Sequence, residues 1–263
     1  MSTVHFVGGE KGGVGKSVVA RALAQLFIDR GLSFAALDAD RSHGALVRYY
    51  ADYAQRVDLE QLHSVDQILE CALETDRLVL VDLPAQSQAA LDRWMEATDI
   101  VSFAREAGIR LVFWHVTDGG FDSVSQLEQA LSVPDSPLEY VVVKNLGRSK
   151  DFSQFDASPA HTRLLELGGR IITLPELDSS VMYKIDRFGS SFWAAINTSD
   201  GPKALPALER RRAKLWLERV HAALASGVDA QPSAVRESIV VPRQGEAVTQ
   251  VDGDSGASVS AAN

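Results

Sequence analysis

The sequence predicts an α/β fold, a mostly parallel twisted sheet flanked by helices on both faces. Three observations predict it. Short apolar runs recur along the 263 residues, each a few residues long and bounded by turn signals, as in strands buried on both faces. Helix-forming stretches alternate with them, and this strand–helix–strand rhythm implies right-handed βαβ units. The first run enters a glycine-rich loop that opens directly into a helix, which is the context a phosphate-binding loop requires.

The elements follow in order. Strand Thr3–Val7 leads into Gly8-Gly9-Glu10-Lys11-Gly12-Gly13-Val14-Gly15-Lys16-Ser17. Glycines let backbone N–H groups turn inward towards an anion, and the helix N-terminus behind them adds unpaired donors and partial positive charge. Lys16 supplies a point charge for the outer phosphates and Ser17 a hydroxyl for Mg²⁺. Glu10 is unfavourable beside phosphates, so its side chain is expected to point away. Helix Lys16–Arg30 buries Val19, Ala22, Leu23, Leu26 and Phe27 and stops at Gly31. Strand Ser33–Leu37 delivers Asp38 and Asp40 at its C-terminal end, where ligands of parallel sheets lie. Ala45–Val57 reads as helix, Ser64–Gln67 as a capping box opening another, and His43 as a polar loop residue.

Leu78–Val81 is a strand ending in Asp82, a carboxylate presented towards a Mg²⁺ water shell. Helices follow over Gln86–Ala97 and Ile100–Ala107, then a buried strand over Ile109–Val116, in which Trp114 and His115 read as core. Thr117-Asp118-Gly119-Gly120 is read as a turn into helix Asp122–Leu131. Pro134 and Pro137 break the chain before strand Tyr140–Lys144, which delivers Asn145, an amide suited to an adenine edge or equally to a turn. Lys150–Ala157 reads as a mobile loop, Ser158-Pro159 as a helix start, and Arg170–Thr173 as a strand leading to Pro175. Asp178–Phe188 is helical, and a last helix runs from Pro206 to Gly227 with an apolar stripe of Ala213, Trp216, Leu217, Val220 and Leu224. Arg210, Arg211, Arg212, Lys214 and Arg219 lie largely off that stripe, as a solvated face or as a patch for the DNA backbone.

A net charge of −9 argues against wholesale coating of nucleic acid but not against a local basic patch. No apolar run is long enough to span a bilayer, and the chain opens on a strand without a signal-peptide pattern, so a cytoplasmic location is expected. The single cysteine, Cys71, excludes an internal disulfide and reads as a buried core thiol. From residue 228 the composition shifts to Ala, Ser, Gly and Gln, and 228–263 is expected to be a disordered tail without a membrane helix behind a domain spanning 1–227.

One detail departs from the ordinary phosphate loop: Glu10 stands where its first glycine would fall, and a second lysine, Lys11, follows. The string Lys11–Ser17 resembles the deviant Walker A motif of the ParA/MinD family of P-loop ATPases. The resemblance implies a fold of that family, ATP and Mg²⁺ as cofactors, phosphate contacts from Gly12, Gly13, Val14, Gly15, Lys16 and Ser17, and a homodimer in the ATP state. It implies that Lys11 reaches across that dimer to the partner's nucleotide. Asp40 matches the carboxylate that positions the attacking water, Asp38 lies near the metal shell, and Asp82-Leu83-Pro84 resembles the second switch. Asn145 and Pro175 match the segments that flank adenine. This chain has Arg41-Ser42-His43-Gly44 where ParA proteins usually continue with Pro-Gln after the first switch carboxylate.

The middle and late segments look closest to plasmid-mobilisation ATPases of the TraL/MobD type. Slow, partner-stimulated ATP hydrolysis would then time attachment to a surface or partner. Three uses of such a cycle compete. One is positioning or partition of DNA or a protein cargo, in which Arg210–Lys214 would contact non-specific DNA. A second is an accessory role in plasmid mobilisation or conjugative transfer without intrinsic DNA binding. A metabolic ligase or synthetase of related fold is the third. One cysteine per subunit cannot supply the four thiolates of a cluster shared by a homodimer, which excludes the iron–sulfur relatives.

Overall fold

The computed structural model describes residues 2–74, 77–133 and 138–228. The chain runs β1 (Thr3–Gly8), α1 (Lys16–Asp29), β2 (Phe34–Asp38), α2 (Ala45–Tyr49), β3 (Ala54–Arg56), α3 (Leu62–Val65), α4 (Gln67–Glu74), β4 (Leu78–Asp82), α5 (Gln88–Ala97) and α6 (Ile100–Glu106). It continues with β5 (Arg110–Thr117), α7 (Phe121–Leu131), β6 (Glu139–Asn145), α8 (Ser153–Asp156), α9 (Pro159–Glu166), β7 (Arg170–Leu174), α10 (Ser179–Phe188), α11 (Phe192–Asn197) and α12 (Ala207–Ala225).

The seven strands form one sheet in the order β3-β2-β4-β1-β5-β6-β7, every pairing parallel. Successive strand residues face opposite ways, so each strand feeds two cores. Leu78 and Leu80 of β4, with Val112, Trp114 and Val116 of β5, meet α1, α2 and α10–α12. Val79 and Val81, with Leu111 and Phe113, meet α3–α9. This is the expected α/β sheet with helices on both faces. The stripe foreseen for the last helix is its buried face. Because all strands run one way, their C-terminal ends share one edge. Register sets Asp82 beside both Val7 and Asp38, and His115 beside Gly8.

Several local readings need correction. Ala45–Val57 is not one helix. It ends at Tyr49, because Tyr50 turns its ring into the core and Ala54–Arg56 gains a ladder along β2. Ser64 does not cap a helix start: it lies inside α3, and its hydroxyl accepts from Asp58 N at 2.9 Å. Lys150–Ala157 is anchored by buried Phe152 and Phe155 around α8 and does not form an open loop. Cys71 is half-buried at the margin of the second core, and burial raises its thiol pKa. Helix α11 was not foreseen. Val228, assigned to the tail, is buried in the first core, while the rest of that tail, Pro134 and Pro137 lie outside the described residues.

Candidate functional site

The loop between β1 and α1 lies at the shared edge. Gly15 serves as the N-cap of α1 with φ +102°, and a Cβ there would sit 2.2 Å from Asn145 Nδ2. A side chain at this position is therefore excluded twice, by backbone strain and by contact. Gly13 also takes positive φ, and a Cβ on Gly12 or Gly13 would meet nothing within 4 Å, so that side of the loop is an open cradle. Lys16 is only 8% exposed, and its Nζ folds over the loop to donate to Lys11 O at 2.9 Å. Burial lowers its pKa, opposed by the fields of Asp82, Glu10 and Asp40.

Two carboxylates stand side by side at the ends of the paired strands β2 and β4. Asp38 accepts from Asp40 N and Val47 N, both at 3.1 Å, and burial raises its pKa. Asp82 is fully buried, and neither of its oxygens has a hydrogen-bond partner among the described residues. Burial first, and Asp38 second, push its pKa up to about 8, although the nearby Ser17 hydroxyl and Lys16 favour the charged form. A buried carboxylate with both oxygens unpartnered costs several kcal/mol unless a cation balances it. Together with the Ser17 hydroxyl, this donor set fits a hard divalent ion. Among the described residues no cluster of three or more His, Cys, Asp and Glu could hold a metal. Mg²⁺ suits such a setting, because it keeps waters and phosphate oxygens in its shell.

The remaining expected residues are placed as follows. Asp40 Oδ1 accepts from Ser42 N and His43 N, both at 2.9 Å, and its Oδ2 lies 3.4 Å from Nδ1 of the exposed His43. One oxygen thus shapes the loop and the other lies beside the exposed His43 ring. Lys11 Nζ pairs with Asp118 Oδ2 at 2.7 Å, and this hydrogen bond raises the lysine's pKa. Burial alone would raise the Asp118 pKa, but Lys11 and Gly120 N together bring it below the usual carboxylate range.

Asn145 is 4% exposed and does not present a free amide edge. Its Nδ2 donates to Val14 O at 2.7 Å and its Oδ1 accepts from Gly147 N at 3.0 Å, which ties β6 to the phosphate loop. Pro175 O is likewise engaged, accepting from Trp216 Nε1 at 2.8 Å. Arg210 is occupied by the carbonyls of Leu205 and Thr198, whereas Arg211, Arg212 and Lys214 are exposed.

Asp118, the partner of Lys11, is the residue at this edge that sequence reasoning passed over. It follows the last residue of β5, the strand paired to β1, so the same end-of-strand logic that selected Asp38 and Asp82 could have found it.

Comparison with known proteins agrees with this geometry. Residues 5–208 match the family described as the CobQ/CobB/MinD/ParA nucleotide binding domain. The chain is 25% identical over 183 residues to the protein MobD of Acidithiobacillus ferrooxidans, covering 68% of this chain and 80% of MobD. It is 29% identical over 153 residues to a protein TraL of Escherichia coli, covering 55% of this chain and 64% of TraL. Its fold is similar to that of the MinD cell division protein of Aquifex aeolicus, with TM-score 0.50, 12% identity, and coverage of 89% of this chain and 100% of that one. Among the described residues no helix is long and apolar enough to cross a membrane.

Proposed function

The chain belongs to the CobQ/CobB/MinD/ParA nucleotide binding domain family, and on that premise we propose that it is a Mg²⁺-dependent ATPase whose nucleotide state controls dimer formation. The observation that carries this reading is the convergence of the open Gly12-Gly13 cradle, Lys16 and Ser17 on the unpartnered carboxylate of Asp82.

Backbone amides of the loop and Lys16 Nζ bind the phosphates, and Lys16 gives up Lys11 O to do so. Ser17 and the Asp82 carboxylate, with Asp38 behind it, would hold Mg²⁺, which supplies charge neutralisation at the β- and γ-phosphates. Asp40 orients a water and accepts its proton as it attacks. The water oxygen bonds to the γ-phosphorus as the bond to the β–γ bridging oxygen breaks, leaving ADP and phosphate. Lys11 exchanges Asp118 for a γ-phosphate oxygen of the partner subunit's nucleotide, so ATP favours the dimer and hydrolysis releases it. The base lies towards the Asn145 and Pro175 segments, with backbone groups making the contacts that the engaged amide and carbonyl do not.

Of the competing uses, the likeness to MobD and TraL favours an accessory role in plasmid mobilisation. The engaged Arg210 leaves a smaller basic patch for the alternative, positioning of DNA or cargo through DNA contact.

The test is sizing of the protein with ATP and ADP, as wild type, Lys11→Ala and Asp40→Ala. Wild type should dimerise with ATP only, Lys11→Ala should stay monomeric, and Asp40→Ala should persist as an ATP-bound dimer. Normal hydrolysis by Asp40→Ala would refute the water-positioning role. Salt-sensitive, ATP-dependent DNA binding lost on replacing Arg211, Arg212 and Lys214 would return the positioning role to first place.

A further inference from the structure

Glu10 does more than point away from the phosphates. Its Oε1 accepts from Gln88 N at 2.9 Å, across 78 residues of chain. Gln88 opens α5, and α5 follows directly on the loop that leaves Asp82. That helix has no side-chain cap at Ser87 and no acidic residue in its first turn. The Ser87 hydroxyl instead turns back to donate to Pro84 O at 3.0 Å. Gln86 takes φ +59°, a left-handed backbone that a glutamine rarely adopts unaided. The loop is therefore strained and lacks a cap of its own. Two ties hold it from outside: Leu83 N donates to Val7 O at 3.0 Å at its start, and Glu10 accepts from Gln88 N at its end. A carboxylate at the partly positive end of α5 is also favourably placed.

Neither Asp82 oxygen meets a partner at strict hydrogen-bond geometry, and the nearby Ser17 hydroxyl is the one side-chain donor that favours its charged form. The Asp82 backbone is held by β1 and β2 on either side and by Ala39 N, which donates to Asp82 O at 2.9 Å, whereas the two ties fix the loop that follows it. We propose that Glu10 is a positioning residue for hydrolysis: by pinning the loop that follows Asp82 to the phosphate loop, it fixes the path of the chain leaving Asp82 and the backbone entering Lys11. This rests on the reading of Asp82 and Ser17 as the metal-holding pair of an ATPase. A purely electrostatic role for Glu10, acting through its field on Lys16, makes a different prediction, because glutamine keeps the acceptor oxygen and loses the charge.

The test uses the full chain as wild type, Glu10→Ala and Glu10→Gln, with three readouts: amide exchange at Gln88, affinity for Mg·ATP, and single-turnover phosphate release. Glu10→Ala should lose protection at Gln88 and release phosphate at least about tenfold more slowly, because small misplacements at a reacting centre are costly. Its Mg·ATP affinity should not fall. Glu10→Gln should keep the Gln88 protection and the wild-type rate. Wild-type phosphate release by Glu10→Ala would overturn the positioning role, and so would Glu10→Gln failing as badly as Glu10→Ala, which would assign the effect to charge. A wild type that binds nucleotide but releases no phosphate would overturn the ATPase reading itself.

Discussion

Replacing Asp82 by asparagine should make the free protein more stable at alkaline pH while removing its response to Mg²⁺. Burial beside Asp38 pushes the Asp82 pKa from 3.8 to about 8. In the unfolded chain the group loses its proton near pH 4, whereas in the fold it keeps the proton up to about pH 8. Between those values the folded state binds more protons, so stability falls as pH rises. The rise from 3.8 to about 8 corresponds to a ceiling of about 6 kcal/mol at 1.36 kcal/mol per unit. Local relaxation and water entry would reduce this to roughly 2–4 kcal/mol. Asparagine keeps the shape and cannot ionise.

Urea unfolding of both proteins at pH 5 and pH 8, without nucleotide or metal, measures the difference. Wild type should lose roughly 1–2 kcal/mol more than Asp82→Asn between the two, because the part of the effect that falls below pH 5 lies outside this span. Subtraction removes the contribution of groups that do not interact with Asp82, and Asp38, whose field helps raise the Asp82 pKa, is measured together with it. Adding Mg·ADP at pH 8 should stabilise wild type well beyond ADP alone, and should do so far less in Asp82→Asn. Parallel pH profiles for the two proteins would refute the argument that an uncompensated carboxylate is buried at this position.

Other substitutions probe the frame around the site. His115, buried and held at a pKa of about 4, resists protonation that the unfolded chain accepts near 6.5, so stability should fall as pH drops through this window. His115→Gln should remove up to about 3 kcal/mol of that acid sensitivity in unfolding experiments. Asn145→Ala leaves the Val14 carbonyl without its donor and should cost about 1–3 kcal/mol, with weaker nucleotide binding by calorimetry. Gly15→Ala combines φ +102° with a Cβ 2.2 Å from Asn145 Nδ2, and should abolish nucleotide binding while lowering the melting temperature.

The glycine loop between β1 and α1 and the strand-end positions of Asp38 and Asp82 were legible because their signals are local. A glycine pattern between strand and helix, or an acid closing an apolar run, depends on neighbours in sequence, and a parallel sheet then carries every strand end to one edge. Edges of elements were less legible. The end of α2 at Tyr49 depends on the Tyr50 ring entering the core, and β3 exists only because β2 offers it an open edge.

What the amino-acid order determined by itself was the βα rhythm, the Lys11–Ser17 loop and the acids at the strand ends. What the tertiary structure alone decided was the partner of each: Asp118 for Lys11, Val14 O for Asn145, Trp216 for Pro175 and Gln88 N for Glu10. Spacing along the chain constrains conformation over a few residues. A hydrogen bond spanning 78 or 131 positions is chosen only when packing brings two distant backbones together.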